Sequence, residues 1–289
     1  MRRRLGDRSD GHKLRKIDPL FRMIPHIMKD RSDAQVFFED TVYLDETHKF
    51  IRELRKEGYR LGFLHVLIAS MVRVISQKPK INRFVVGKKI YARNEISFSL
   101  AIKKDMSEES EETVIKFKLE PDATIYDVIK VVNETIEQNK KEDEKSSMDI
   151  FVKIFSKFPN FIYGGLMNFV RALDYLGILP KPIIKLSPFH SSIFVTDLGS
   201  IGIRPVYHHI YNLGTNTIFI AFGTKTKENT VNGDSEIVSR KKMDLKVVAD
   251  ERVCDGYYFA KSLKYAKIVM MNPECLKTAP DQIVIDDQI

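Results

Sequence analysis

The chain has 289 residues, of which 43% are hydrophobic, enough for a buried core in one large domain or two small ones. Its net charge is +8, but residues 1–16 hold seven Arg/Lys against two Asp, so the remaining 273 residues carry only +3. A basic arm on a nearly neutral body, with no aromatic-plus-basic motif and no zinc-ligand spacing, argues against nucleic-acid binding.

Two cysteines, Cys254 and Cys275, point to a reducing compartment rather than a disulfide framework. The first residues run into further charge instead of an apolar leader. The longest uncharged runs, 61–72 and 158–170, are too short to span a bilayer, so a cytoplasmic protein without an integral membrane segment is expected.

In chain order, residues 1–20 read as a basic flexible arm, because charges are dense and apolar residues few. From Phe21 the pattern predicts a short helix, a strand over 34–43, a helix over 45–56 and a strongly apolar helix over 61–77. A hairpin around Gly87-Lys88-Lys89 and a strand over 96–102 follow. The acidic run 105–112 reads as a solvated turn before a strand at VIKFKLE, and Ile125, Val128, Ile129, Val132 and Ile136 share one face of a helix. Residues 148–180 are more apolar than a surface helix needs and predict core or subunit contact, with an acyl pocket or a membrane-interface hairpin as the rarer use.

Near the C-terminus, Met243, Leu245 and Val247 alternate with Asp244 and Lys246, which predicts a long strand ending at Asp250. Asp255-Gly256 turns the chain into a helix that Asn272-Pro273 stops. A corner between a buried strand and a helix can hold a side chain rigidly, and this one carries Glu251 and Asp255. Cys254 lies inside it as a small core thiol.

The run Asp250-Glu251-Arg252-Val253-Cys254-Asp255-Gly256, closed by Asn272-Pro273-Glu274, resembles the signature of the chloramphenicol acetyltransferase-like superfamily. More particularly, it resembles the catalytic domain of the dihydrolipoyl acyltransferases of 2-oxo acid dehydrogenase complexes, whose pattern is D-H-R-V-I-D-G. Glu251 stands where that family has its catalytic histidine. A second segment, from His190 to Ile203, resembles the family's G-G-T-F-T-I-S-N-L-G-M-F-G-I run, and the order of elements from residue 21 follows the same domain. The resemblance implies an α/β fold, a two-layer sandwich with a mixed sheet and helices packed on one face. It also implies a domain over 21–276, followed by a C-terminal tail over 277–289. No lipoyl or peripheral-subunit-binding segment is recognisable.

What the resemblance implies for function is acyl transfer between coenzyme A and a small acceptor, a thiol by expectation, in a homotrimer whose sites lie between subunits. Coenzyme A is then a substrate, acyl-coenzyme A the partner, and no cofactor is covalently bound. Thr196 falls on the oxyanion-donor position, Glu251 on the base, and Asp255 on a structural position facing an arginine, for which Arg22 is the candidate; Asp255 and Gly256 also shape the turn. A glutamate carboxyl ordinarily titrates near about 4.3 and a thiol near about 8.5, so a carboxylate base needs burial that raises it to about 6–7. The alternative is a non-catalytic relative that keeps the fold for assembly or ligand binding. His190, His208 and His209 are candidate substrate contacts, although loop packing is the commoner fate of such residues; adjacent histidines on a strand face opposite ways, and no spacing makes a metal site.

Overall fold

The computed structural model describes residues 3–103, 112–141, 159–231 and 233–289. The acidic turn over 105–111 and the apolar positions 148–158 therefore lie outside the described residues. Strands are β1 (Gly11–Lys13), β2 (Gln35–Tyr43), β3 (Arg83–Val86), β4 (Lys89–Arg93), β5 (Ile96–Lys103), β6 (Glu112–Leu119), β7 (Ile193–Asp197), β8 (Ile218–Phe222), β9 (Thr226–Val231) and β10 (Ile237–Asp250). Helices are α1 (Pro19–Ile27), α2 (Asp45–Lys56), α3 (Phe63–Gln77), α4 (Ile125–Lys141), α5 (Asn160–Leu176), α6 (Lys181–Leu186) and α7 (Gly256–Met271).

Among the described residues, a seven-stranded sheet runs β2-β10-β8-β7-β5-β6 with β9 on the outer half of β10, and a three-stranded sheet runs β1-β4-β3. The large sheet is mixed, because β5–β7 and β7–β8 are parallel and the other pairs antiparallel. Period-two alternation decides the layers. Met243, Leu245, Val247 and Ala249 enter the main core with Ile193, Val195, Ile218 and Ile220, against the apolar faces of α2, α3, α4 and α7. The other face carries Phe194, Phe219 and Val248, covered by Ile210 of an irregular segment instead of a helix. This is the two-layer arrangement, with helices on one face, that the resemblance implies.

Helix α2 occupies the range read from its periodicity, whereas α3 starts at Phe63 and not at Leu61. The N-terminal arm differs more. Residues 11–13 pair with 91–93, and Arg8, only 2% exposed, grips the Asp10 carboxylate, the Asp174 carboxylate and the Asp174 carbonyl. Asp7 meanwhile accepts hydrogen bonds from Arg15 and the Lys13 backbone N–H, and pairs with His12. The arm is thus packed, not flexible, because Asp7 and Asp10 pair with its Arg8, His12 and Arg15 and Asp174 holds Arg8 from outside the arm. The C-terminal tail also packs. Asp286 forms a buried bidentate pair with Arg83, at 2.6 and 2.7 Å, and Val284 donates its N–H to the Ser76 carbonyl.

Removing one partner of a buried ionic group leaves the other charges uncompensated, at about 3–5 kcal/mol. Arg8→Ala, which strands Asp10 and Asp174, is expected to lose that much stability in a urea titration. A loss under about 1 kcal/mol would show that the arm is loosely attached.

Candidate active site

The strand-to-helix corner is built around Asp250, which ends β10 with no exposed surface. Its carboxylate takes both Nε and Nη2 of Arg252, at 2.8 and 2.7 Å, and Arg31 Nε lies 3.4 Å away. Arg252 donates onward to the Met28 and Lys29 carbonyls after α1, and Arg31 to the carbonyls of Tyr211 and Val85. One carboxylate therefore ties the corner to three separate segments. Glu251 follows Asp250 in the chain, half-buried, and donates its N–H to the Ala34 carbonyl.

Val253 and Cys254 are buried in the main core, and burial pushes the Cys254 thiol up, so it is an inert packing group. Asp255 is the N-cap of α7, accepting the Tyr258 N–H at 2.9 Å, and Gly256 opens the helix. Among the described residues no ion pair joins Asp255 to Arg22. The exposed carboxylate is engaged with the helix end, and Arg22 lies on α1 in a groove with Lys13, His26 and Lys88.

Thr196 lies on β7, buried, on the sheet face away from the helices. Its row across the sheet reads Ala101, Thr196, Ala221, Lys246, Glu39. Lys246 is ion-paired to Glu39, which raises its pKa, and its ammonium stands 4.7 Å from the ring centre of Tyr207. Tyr207 also packs edge-on against Phe37, and His208 stacks on Phe219, which stacks on Phe194 in turn. His208 therefore shares the face of Thr196, while its neighbour His209 is exposed and meets Tyr211 edge-on.

Within one chain Thr196 and Glu251 do not meet. They are separated by two strand spacings across the sheet and five residues along β10 from Lys246, on the order of 20 Å. The cavity beside the corner, about 530 Å³, is lined by Arg31 and Arg252 and not by Glu251.

His190 is buried at the start of the second segment. Its Nδ1 lies 2.8 Å from Ser187 Oγ and its Nε2 3.4 Å from Asp174. Burial pushes the imidazole pKa down, against the opposing pull of Asp174. Burial also acts to raise the Asp174 carboxyl, but His190 and Arg8 outweigh it and hold it below the ordinary carboxylate range. His190 thus belongs to the buried ionic cluster of Arg8. The segment before β7 is further held by Lys116, whose ammonium donates to the carbonyls of Ile184, Ser187 and His190 at 2.8, 3.1 and 2.6 Å.

Sequence reasoning missed Arg31, Lys246, Tyr207 and Lys116. Each acts through a long-range contact, and the period-two alternation of β10 was the one signal that could place Lys246 on the face of Thr196. Among the described residues no group of three or more His, Cys, Asp or Glu could hold a metal ion, and no helix is long and apolar enough to cross a membrane.

The fold is that of the chloramphenicol acetyltransferase-like superfamily. Residues 189–277, which contain Thr196, Glu251 and Asp255, match the family described as 2-oxoacid dehydrogenases acyltransferase (catalytic domain). Similar solved structures include a probable dihydrolipoamide acetyltransferase from Listeria monocytogenes, with 16% identity over 91% of this chain and 95% of that one, and a TM-score of 0.57. A dihydrolipoamide acetyltransferase from Azotobacter vinelandii is 13% identical over 94% of this chain and 95% of that one, also at 0.57. In that enzyme a serine, a histidine and an asparagine have been investigated for roles in the catalytic mechanism; the histidine stands 52 positions after the serine and the asparagine four positions later. A chloramphenicol acetyltransferase is 9% identical over 89% of this chain and 99% of that one, at 0.54. No curated protein matches this chain by sequence.

Lys116 supplies a pH test of the wall before β7. Burial lowers its pKa from 10.5 to about 8, so between these values the unfolded chain holds a proton that the folded chain has lost. Stability contributed by this group therefore rises as pH increases from about 8 to 10.5. Unfolding free energies across that window should show wild type gaining on Lys116→Met. A pH-independent difference would contradict the assignment.

Proposed function

We propose that the chain transfers an acyl group between coenzyme A and a small thiol acceptor, at a site completed by a neighbouring copy in a homotrimer. The observation that carries this reading is the pair Thr196 and Glu251 within the matched segment. They stand 55 positions apart, with Asp255 four further on, close to the serine, histidine and asparagine spacing of the Azotobacter enzyme. Their separation within one chain is what a site shared between copies requires. On the sheet face of Thr196, which is itself buried, the exposed Phe37 and Tyr207 offer a surface for that contact. With no disulfide and no membrane-crossing helix among the described residues, the proposed setting is the cytoplasm.

In this mechanism the Glu251 carboxylate of one copy takes the proton of the acceptor thiol. The thiolate then attacks the thioester carbonyl, and the Thr196 hydroxyl of the next copy donates to the tetrahedral oxyanion. Collapse breaks the carbon–sulfur bond to coenzyme A, and the Glu251 carboxyl returns its proton to the leaving thiolate. Asp255 supports the site indirectly by capping α7, and His208 lines the same sheet face as Thr196.

The rival reading, a non-catalytic relative, is favoured by one observation. Glu251 does not line the cavity beside the corner.

Two measurements decide between them. Light scattering should give about 100 kDa, three times the 33.5 kDa chain. With an acyl-coenzyme A donor and a dithiol acceptor, wild type should turn over and Glu251→Gln should lose about 10²–10⁴ in rate, with Glu251→His faster than wild type. A trimer in which wild type, Gln and His forms are equally inactive would establish the non-catalytic reading.

A further inference from the structure

A second surface contains neither Thr196 nor Glu251. Between α1, the β3–β4 hairpin and the end of α5 runs a groove of about 530 Å³, lined by Lys13, Arg15, Arg22, His26, Lys88 and Lys89, with no carboxylate in its walls. Arg15 is paired to Asp7, but among the described residues Lys13, Arg22, Lys88 and Lys89 form no ion pair. Crowded like charges repel, so a folded chain keeps such a cluster at a cost to its own stability.

The hairpin tip repeats the point in backbone geometry. Gly87 and Lys88 both adopt the left-handed conformation, at φ +54° and +58°, in a two-residue turn where glycine or asparagine is the unstrained choice at either position. Gly87 has no alternative, because a Cβ there would lie 2.3 Å from the Tyr175 carbonyl. Lys88 has one, and the strain it accepts fixes a cation at the mouth of the groove.

Exposed apolar side chains flank these charges. On α1, Leu20, Met23 and Ile27 form one stripe beside Arg22 and His26, and each is more than half exposed. At the end of α5, Tyr175, Leu176 and Ile178 are equally exposed, and Tyr175 itself lines the groove.

We propose that this face docks on the surface of a membrane rich in anionic phospholipid. Headgroup phosphates would enter the groove, and the two apolar stripes would enter the boundary between headgroups and acyl chains. A soluble polyanion would satisfy the cations and leave six exposed apolar side chains unused. An anionic bilayer answers both halves of the surface, and attachment is peripheral because no described helix can cross.

The test is co-sedimentation of the full chain with vesicles of phosphatidylcholine alone or with about 30 mol% phosphatidylserine, alongside titration with inorganic tripolyphosphate. Binding to the anionic vesicles is expected to exceed that to neutral ones by at least about tenfold and to weaken at high salt. Lys88→Glu with Lys89→Glu should lose at least about tenfold. Met23→Ser with Ile27→Ser should lose severalfold at unchanged salt. All four positions lack tight packing, so melting temperatures should hold. Equal binding to both vesicle types, or full retention by the serine variant, would overturn the proposal. Tripolyphosphate binding by a folded protein that ignores vesicles would overturn it too and reassign the groove to a soluble anion.

Discussion

A single carboxylate without solvent contact organises the functional end of this molecule. Asp250 lies between the guanidinium groups of Arg252 and Arg31, and those groups spend their remaining donors on the backbone carbonyls of Met28, Lys29, Tyr211 and Val85. A buried ionic cluster of this kind contributes little net stability over an apolar replacement. Its effect here is positional, because breaking any one member costs about 3–5 kcal/mol and so penalises every other arrangement of the corner. The exit of α1, the end of β10 and the loop at 211 are locked to one another, and Glu251 is carried in that lock.

The sheet imposes the second constraint. Helices take up the face of Met243, Leu245 and Val247, and the opposite face is left to Thr196, Phe219, Lys246 and a covering segment. Hydrogen-bond register then keeps Thr196 and Glu251 apart within the chain, since neither can shift without turning alternate side chains to the wrong layer. A hydroxyl donor and a carboxylate so fixed can act on one substrate only if a neighbouring copy supplies one of them. The membrane-docking groove runs along the β3–β4 hairpin and shares Gly87, Lys88 and Tyr175 with the cavity beside the corner, so attachment and the corner are neighbours on one side of the molecule.

Local periodicity made much of this legible in the sequence. The alternation in β10, the bounds of α2 and the one-sided apolar pattern of α4 each follow from residues close together in the chain. The corner motif was legible as a unit, but the work of its members was not. Asp255 was expected to meet an arginine, and instead it caps the helix it begins, which is the nearer and cheaper partner for an aspartate at a helix N-terminus. Arg31 acts on a residue 219 positions away, and no periodic signal marks such a contact. Charge density in the arm read as mobility because Asp7 and Asp10 look few beside seven cations; they pair with Arg8, His12 and Arg15, and Asp174 holds Arg8 from outside the arm.

The account depends most on Thr196 of one copy lying close to Glu251 of the next. Thr196→Cys with Glu251→Cys, in a Cys275→Ser background, tests this with a bis-maleimide linker about 8 Å long, too short for the on-the-order-of-20 Å separation within one chain. The predicted result is a ladder of cross-linked dimers and trimers on a denaturing gel, absent from either single variant. Cross-linking confined within one chain, or none at all in a protein that elutes as a monomer, would contradict the shared site.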